Sequence, residues 1–129
     1  MGDRGSLATR ICRFELDPRG FVRATCDRGA EFVVADAEEA LVATRKIAGG
    51  RRRPVLVDMR WIKSQTREAR ERFAADDVAE VCSAVSVLVE SPVSRVIGNF
   101  FLRQTVQKMP NRLDTVESDA IAWLLRHVS

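Results

Sequence analysis

A single histidine, His127, stands near the end of the chain, and three cysteines, Cys12, Cys26 and Cys82, are scattered along it. One imidazole with no cysteine or serine nucleophile at a recognisable spacing argues against nucleophile–base catalysis. No two cysteines have metal-ligand spacing, and an odd, dispersed set is not a disulfide framework. Gly-x-Gly-x-x-Gly, Walker-type and Gly-x-Ser-x-Gly patterns are also missing, which removes the common dinucleotide, nucleotide and hydrolase signatures. No stretch approaches 18 consecutive apolar residues, so no membrane span is expected. Met1-Gly2-Asp3-Arg4-Gly5-Ser6 has no apolar signal-peptide core, and Asp3 and Arg4 weaken any fit to a myristoylation signal. These absences predict a cytoplasmic, non-enzymatic protein that needs no metal or cofactor.

What is present describes one folded domain. The chain has 129 residues, 46% of them hydrophobic and 30% charged, with a net charge of +3. That suffices for one core and its polar covering, with residues 1–6 as a flexible N-terminus and residues 7–129 as a single domain. An excess of three positive charges is too small to indicate a nucleic-acid partner. There is no internal repeat and no linker.

The most informative stretch is Pro54-Val55-Leu56-Val57-Asp58, a short β-branched run that reads as a fully buried central strand. Ala84 to Val89 reads as a second one. Before them, residues 7–16 alternate and read as one strand, and Asp17-Pro18-Arg19-Gly20 suits a type I turn. Phe21 to Asp27 returns antiparallel, and burying both apolar faces sets Leu16 opposite Val22, Phe14 opposite Ala24 and Cys12 opposite Cys26. In a reducing compartment, two core thiols are a simpler reading of that last pair than a disulfide. Glu31 to Ala35 reads as a third strand of the same meander. Asp36 with Glu39 has capping-box spacing and opens a helix that buries Ala37, Ala40, Leu41, Thr44, Ile47 and Ala48 and stops at Gly49-Gly50. A helix between strands at Val34 and Val55 makes these two parallel.

Past Asp58, Ser64 or Thr66 caps a helix that buries Ala69 and Phe73 and pairs Glu68 with Arg72. Ser91-Pro92 opens another helix, with an unusually broad apolar face of Val93, Val96, Ile97, Phe100 and Phe101. Arg112-Leu113 suits a short edge strand. Asp114 and Glu117 repeat the capping-box spacing before a last helix that buries Ala120, Ile121, Trp123 and Leu124.

This order is an α/β fold: an N-terminal antiparallel meander followed by parallel βαβ units in one mixed sheet. It resembles the STAS-type fold of bacterial anti-sigma-factor antagonists, and within it the SpoIIAA-like group of small bacterial domains. The likeness rests on Pro54 to Asp58, Glu68-Ala69-Arg70, Ala84 to Val93, Gly98-Asn99-Phe100-Phe101 and Ala120 to Leu125, and it covers residues 30–125. It implies a non-enzymatic regulatory or protein-interaction module with a regulatory protein partner. In those antagonists an Asp-Ser-Ser-Gly type motif with a phosphoacceptor serine opens the helix after the first buried strand. Thr66-Arg67-Glu68-Ala69 occupies that place here, so the phosphoswitch is not implied for this chain.

In an open α/β sheet, ligands and partners bind beyond the carboxyl ends of the strands. That rule selects Asp58, Trp61, Lys63, Ser64 and Thr66 after the first buried strand, and Glu90, Ser91, Ser94, Arg95 and Asn99 after the second. Asp58 and Ser91 serve equally well as caps of turns and helices. Trp61, flanked by Arg60 and Lys63, either anchors an interface or packs under its own loop. Exposure of Phe101 would mark a homodimer contact or an apolar pocket shared with Phe100. Two alternatives to a partner module follow: a binding domain for a small apolar, acyl or lipid molecule, and nucleic-acid binding through Arg51-Arg52-Arg53 with Arg60, Lys63, Arg67 and Arg70. The second lacks aromatic interleaving and is the weaker.

Overall fold

The structure is a computed structural model that describes residues 6–73, 75–105 and 109–128, with the side chains of 100–105 excluded. Strands β1 (Ser6–Ala8), β2 (Cys12–Leu16) and β3 (Val22–Cys26) form the antiparallel meander. Strands β5 (Arg53–Asp58), β7 (Cys82–Leu88) and β8 (Asn111–Asp114) continue it in parallel, in the order β1-β2-β3-β5-β7-β8. Two short strands, β4 (Glu31–Phe32) and β6 (Ser64–Gln65), pair separately in parallel. Helices α1 (Val34–Ile47), α2 (Arg67–Phe73), α3 (Val78–Val81) and α4 (Pro92–Thr105) cover one face, and α5 (Glu117–Leu125) covers the other.

The two faces differ because the strands do. Leu56 and Leu88 turn to α5 and meet Phe21, Ala120 and Leu124. Val55, Val85 and Val87 turn to the larger core with Phe14, Ala24 and the α1 stripe Ala37, Ala40, Leu41, Ala43 and Ile47. A strand covered on both faces needs an unbroken apolar run, which is why β5 and β7 were so legible. The β2–β3 register is the expected one: Leu16↔Val22, Phe14↔Ala24 and Cys12↔Cys26.

Five local expectations change. Residues 7–16 form two strands, because Thr9 closes a turn on Cys12: its amide donates to the Cys12 carbonyl at 2.8 Å and its hydroxyl accepts the Cys12 amide at 3.2 Å. The strand expected at 31–35 shrinks to β4 and leaves the meander. Asp36 is not the cap but the third helical residue, and its carboxylate accepts the Val33 amide at 2.9 Å, so α1 begins at Val34. The crossover to β5 therefore starts from β3. Arg72 bonds Glu38 on α1 and both Asp77 oxygens instead of Glu68, while Arg67 and Glu71 make an i,i+4 pair at 2.9 Å. Finally, Val116 caps α5, and Asp114 stays on β8, where it accepts the Ser86 hydroxyl at 2.6 Å and Arg112 at 2.7 Å.

Asp36 ties the first turn of α1 to the β1–β2 turn through Arg10, with Arg10 Nε at 2.9 Å. Burial pushes the Asp36 carboxyl up, but the Arg10 guanidinium and the Val33 amide outweigh it and hold it below its ordinary value. A lowered folded-state pKa stabilises above the unfolded value, about 3.9, and that contribution is lost as pH falls through the folded one. Asp36→Ala is expected to cost about 1–2 kcal/mol in urea unfolding at pH 7 and progressively less toward pH 3.

Candidate functional site

Asp58 ends β5 with 4% of its surface exposed, and its carboxylate is fully engaged. Arg60 turns back on it with Nε at 3.0 Å and an Nη at 2.7 Å, and the Arg60 amide donates at 3.1 Å. The same guanidinium lies 3.5 Å from Glu117, which takes Arg23 at 3.0 Å, so the start of α5 is fastened over this end of the sheet. The loop that follows is clamped by its backbone. Met59 N bonds the Leu88 carbonyl at 3.1 Å, the Trp61 carbonyl accepts Gly29 N at 2.8 Å, and Lys63 N bonds the Ala30 carbonyl at 2.8 Å. Met59 and Ile62 point into the core, which leaves Trp61, Lys63 and Ser64 facing outward. The Trp61 ring lies near two guanidinium carbons, Arg60 at 4.4 Å and Arg28 at 5.5 Å. Such cation–π contacts help orient the half-buried ring.

Helix α4 starts directly across from this loop. Ser91 Oγ accepts the Ser94 amide at 3.1 Å, and Ser94 Oγ accepts the Glu90 and Ser91 amides at 2.9 and 3.0 Å. That reciprocal cap, with Pro92 in the first helical position, explains the start of the helix. Val93 and Val96, expected in its apolar face, are 53% and 54% exposed, while Ile97 is buried. A hollow of about 350 Å³ is bounded by Arg28, Arg60, Trp61, Lys63, Glu90, Ser91 and Val93. A second, of about 480 Å³, is bounded by Lys63, Ser64, Gln65, Pro92, Val93, Val96 and Ile97. Lys63 and Val93 belong to both, so the two form one groove between the loop and α4.

The structure thus brings together Trp61, Lys63, Ser64, Glu90 and Ser91. It does not bring the others to the groove. The Asp58 carboxylate is held by Arg60, Thr66 Oγ1 caps α2 by accepting the Ala69 amide at 3.2 Å, and Arg95 and Asn99 are exposed on α4 outside both hollows. The side chains of Phe100 and Phe101 lie outside the described residues. Glu90, expected at this edge, also lines the groove, and Arg28, Val93 and Val96, which polarity at the strand ends does not single out, complete it. Arg28 arrives from the β3–β4 turn, 33 residues before Trp61, and no local pattern announces that meeting. The basic residues proposed as one rim are spread out. Arg52 and Arg53 bond the carbonyls of Ala79 and Ala48 at the amino end of β5, opposite to Lys63. Among the described residues no group of three or more His, Cys, Asp or Glu could hold a metal ion, and no helix is long and apolar enough to cross a membrane.

Beneath the loop, Gln65 is 8% exposed, and among the described residues no protein group answers its carboxamide oxygen or nitrogen. It borders an interior cavity of about 50 Å³ lined by apolar side chains and by Cys12, Cys26 and Cys82. That is about a third of the roughly 150 Å³ that admits benzene. Unpaired buried polar atoms cost stability, so Gln65→Leu is expected to raise unfolding free energy by about 1–2 kcal/mol in urea titrations.

A family model described as a domain of unknown function, DUF7793, matches residues 14–128. The chain belongs to this family. Its structure is similar to that of an uncharacterised DUF3478-family protein with a SpoIIAA-like fold from Shewanella loihica PV-4, with a TM-score of 0.59 at 11% identity. That match covers 92% of this chain and 98% of the other, and it shows that this DUF7793 domain has the SpoIIAA-like fold. A protein of unknown function from Arthrobacter sp. FB24 is 33% identical over 86% of this chain and 96% of its own, with a TM-score of 0.34, too low to bear on the fold. No curated protein matches.

Proposed function

We propose that this DUF7793 domain is a non-enzymatic regulatory module that docks a protein partner in the groove between the loop after Asp58 and the start of α4. One observation carries the reading: Trp61, braced by Arg28 and Arg60, stands beside Val93, which with Val96 forms an apolar strip more than half exposed on α4. A half-buried aromatic with cations next to an exposed apolar strip is the composition of an interface centre, not of ordinary surface. Lys63 and Arg28 supply positive charge that no described carboxylate pairs with directly, so the complementary face carries carboxylates beside apolar side chains. Among the described residues Glu90 is the one acidic side chain lining the groove, and it sits at the α4 side.

The test is affinity capture from lysate of the source cells, comparing wild type with a Trp61→Ala, Lys63→Glu, Val93→Glu variant. The expected result is a defined partner held by wild type and lost at least tenfold in the variant, while the two melt within a few degrees of each other. Identical partner sets would refute the proposal. Release of nucleic acid instead of protein from the wild-type column would also refute it.

A further inference from the structure

Cys12 and Cys26 meet across the β2–β3 hairpin with their sulfurs 3.5 Å apart, and both are free thiols. Their position in the ladder matters more than that distance. The Asp27 amide bonds the Ile11 carbonyl and the Asp17 amide bonds the Phe21 carbonyl, each at 2.8 Å, so the odd-numbered rows carry the hydrogen bonds. Cys12↔Cys26 is then a non-hydrogen-bonded pair, the narrow kind, with Cα atoms about 4.5 Å apart. That lies within the span of about 4.4–6.8 Å that a disulfide bridges without moving the backbone. A pair one row along would sit wider.

The pair also occupies a consequential place. Cys26 ends β3 and leads straight into the turn whose Arg28 stacks on Trp61 and whose Gly29 amide holds the Trp61 carbonyl. Cys12 begins β2 beside the Thr9 turn. A covalent link would fasten both strands at the base of the groove's Arg28 side. We propose that Cys12 and Cys26 form a reversible cross-strand disulfide and that this bond is a redox-operated brace beneath the groove. The inference stands on the hairpin alone and does not require the docking reading.

The oxidant is a small-molecule disulfide, and the step is thiol–disulfide exchange. One cysteine thiolate attacks a sulfur of the reagent, forming a mixed disulfide and expelling one reagent thiolate. The second cysteine thiolate then attacks the protein sulfur of that bond and expels the other, so two protein thiols and one reagent disulfide become one protein disulfide and two reagent thiols. Burial limits the rate. Cys12 and Cys26 are 5% and 2% exposed, and the neighbouring Cys12 thiol and burial both push the Cys26 thiol up, so little thiolate is presented by the closed hairpin. Exchange therefore proceeds through opening of the hairpin end at the Thr9 turn, and the bond forms over hours, not seconds.

The experiment incubates the folded protein with hydroxyethyl disulfide at pH 8, removes the reagent and measures intact mass before and after reduction. The expected product is a monomer about 2 Da lighter that yields a linked Cys12–Cys26 peptide and melts about 10 °C higher, the shift a short closed loop provides. Cys82→Ser is expected to keep all three changes, and Cys12→Ala to lose them while keeping its cooperative unfolding. An unchanged mass after a day with all three thiols still alkylatable on denaturation would overturn the proposal. A bond to Cys82 or between two chains would overturn it as well.

Discussion

Replacing Arg60 with alanine is expected to destabilise the domain by about 3 kcal/mol, far more than a surface arginine usually contributes. The reason lies on its partner. Asp58 is almost wholly buried at the end of the central strand, and two of its three described hydrogen bonds come from the Arg60 guanidinium. Removing that guanidinium leaves a buried carboxylate with one backbone donor, which is the costly way to break an internal ion pair. The loss also frees one cation from Trp61 and one contact from Glu117, so the loop and the start of α5 loosen together. Urea unfolding of Arg60→Ala, Asp58→Ala and the double variant forms the decisive cycle. The double variant is expected to recover at least about 1 kcal/mol relative to the sum of the singles, because neither charge is then stranded. A loss below about 1 kcal/mol in Arg60→Ala would show that the pair does not hold this edge.

Gly98→Val is the second large effect, with an expected loss of about 3 kcal/mol or failure to fold. Helix α4 packs so closely on the sheet at this point that a Cβ on Gly98 would lie 2.8 Å from Leu113 Cδ1, 2.9 Å from Val89 Cγ1 and 3.4 Å from Val87 Cγ1. The Leu113 end can swing away, but Val87 on β7 and Val89 just past its end are fully buried with little rotamer freedom. Valine adds two methyl groups beyond that Cβ, so α4 must lift from β7 and β8. Alanine is the graded comparison: it gains about 1 kcal/mol of helix propensity over glycine against a smaller clash, so it is expected to lose much less than valine. Thermal and urea unfolding of the two variants would show the ordering. Equal stability would mean that α4 does not rest on Gly98. Because Val93 and Val96 lie on the same helix, a lifted α4 would also widen the groove.

The central strands were legible because burial acts on each residue where it stands: Val55 to Val57 and Val85 to Val89 had to be covered on both faces wherever the chain ran. The hairpin register was equally local, since a shift by one would have buried Arg23. The caps at Ser91 and Thr66 were readable for the same reason, being side chains that bond amides three residues away. Where sequence reading failed, a distant partner had intervened. Local spacing makes Asp36 a cap and Glu68 the partner of Arg72, but Arg10 and Glu38 approach from other elements, so Asp36 sits inside the first turn of α1 and Arg72 pairs across to that helix.

The candidate site divides along the same line. That the polar stretch after Asp58 would face outward at the carboxyl edge followed from one buried strand and the direction of the chain. That its tryptophan would be braced by Arg28, that Asp58 would be spent on Arg60, and that Val93 and Val96 would stay uncovered were decided only when the β3–β4 turn, the loop and α4 closed on one another. Patterns of polarity are properties of neighbours along the chain, and they determined the strands, the helices and the edge. Which cation meets which ring is a matter of separations in space, and only the packed molecule sets those.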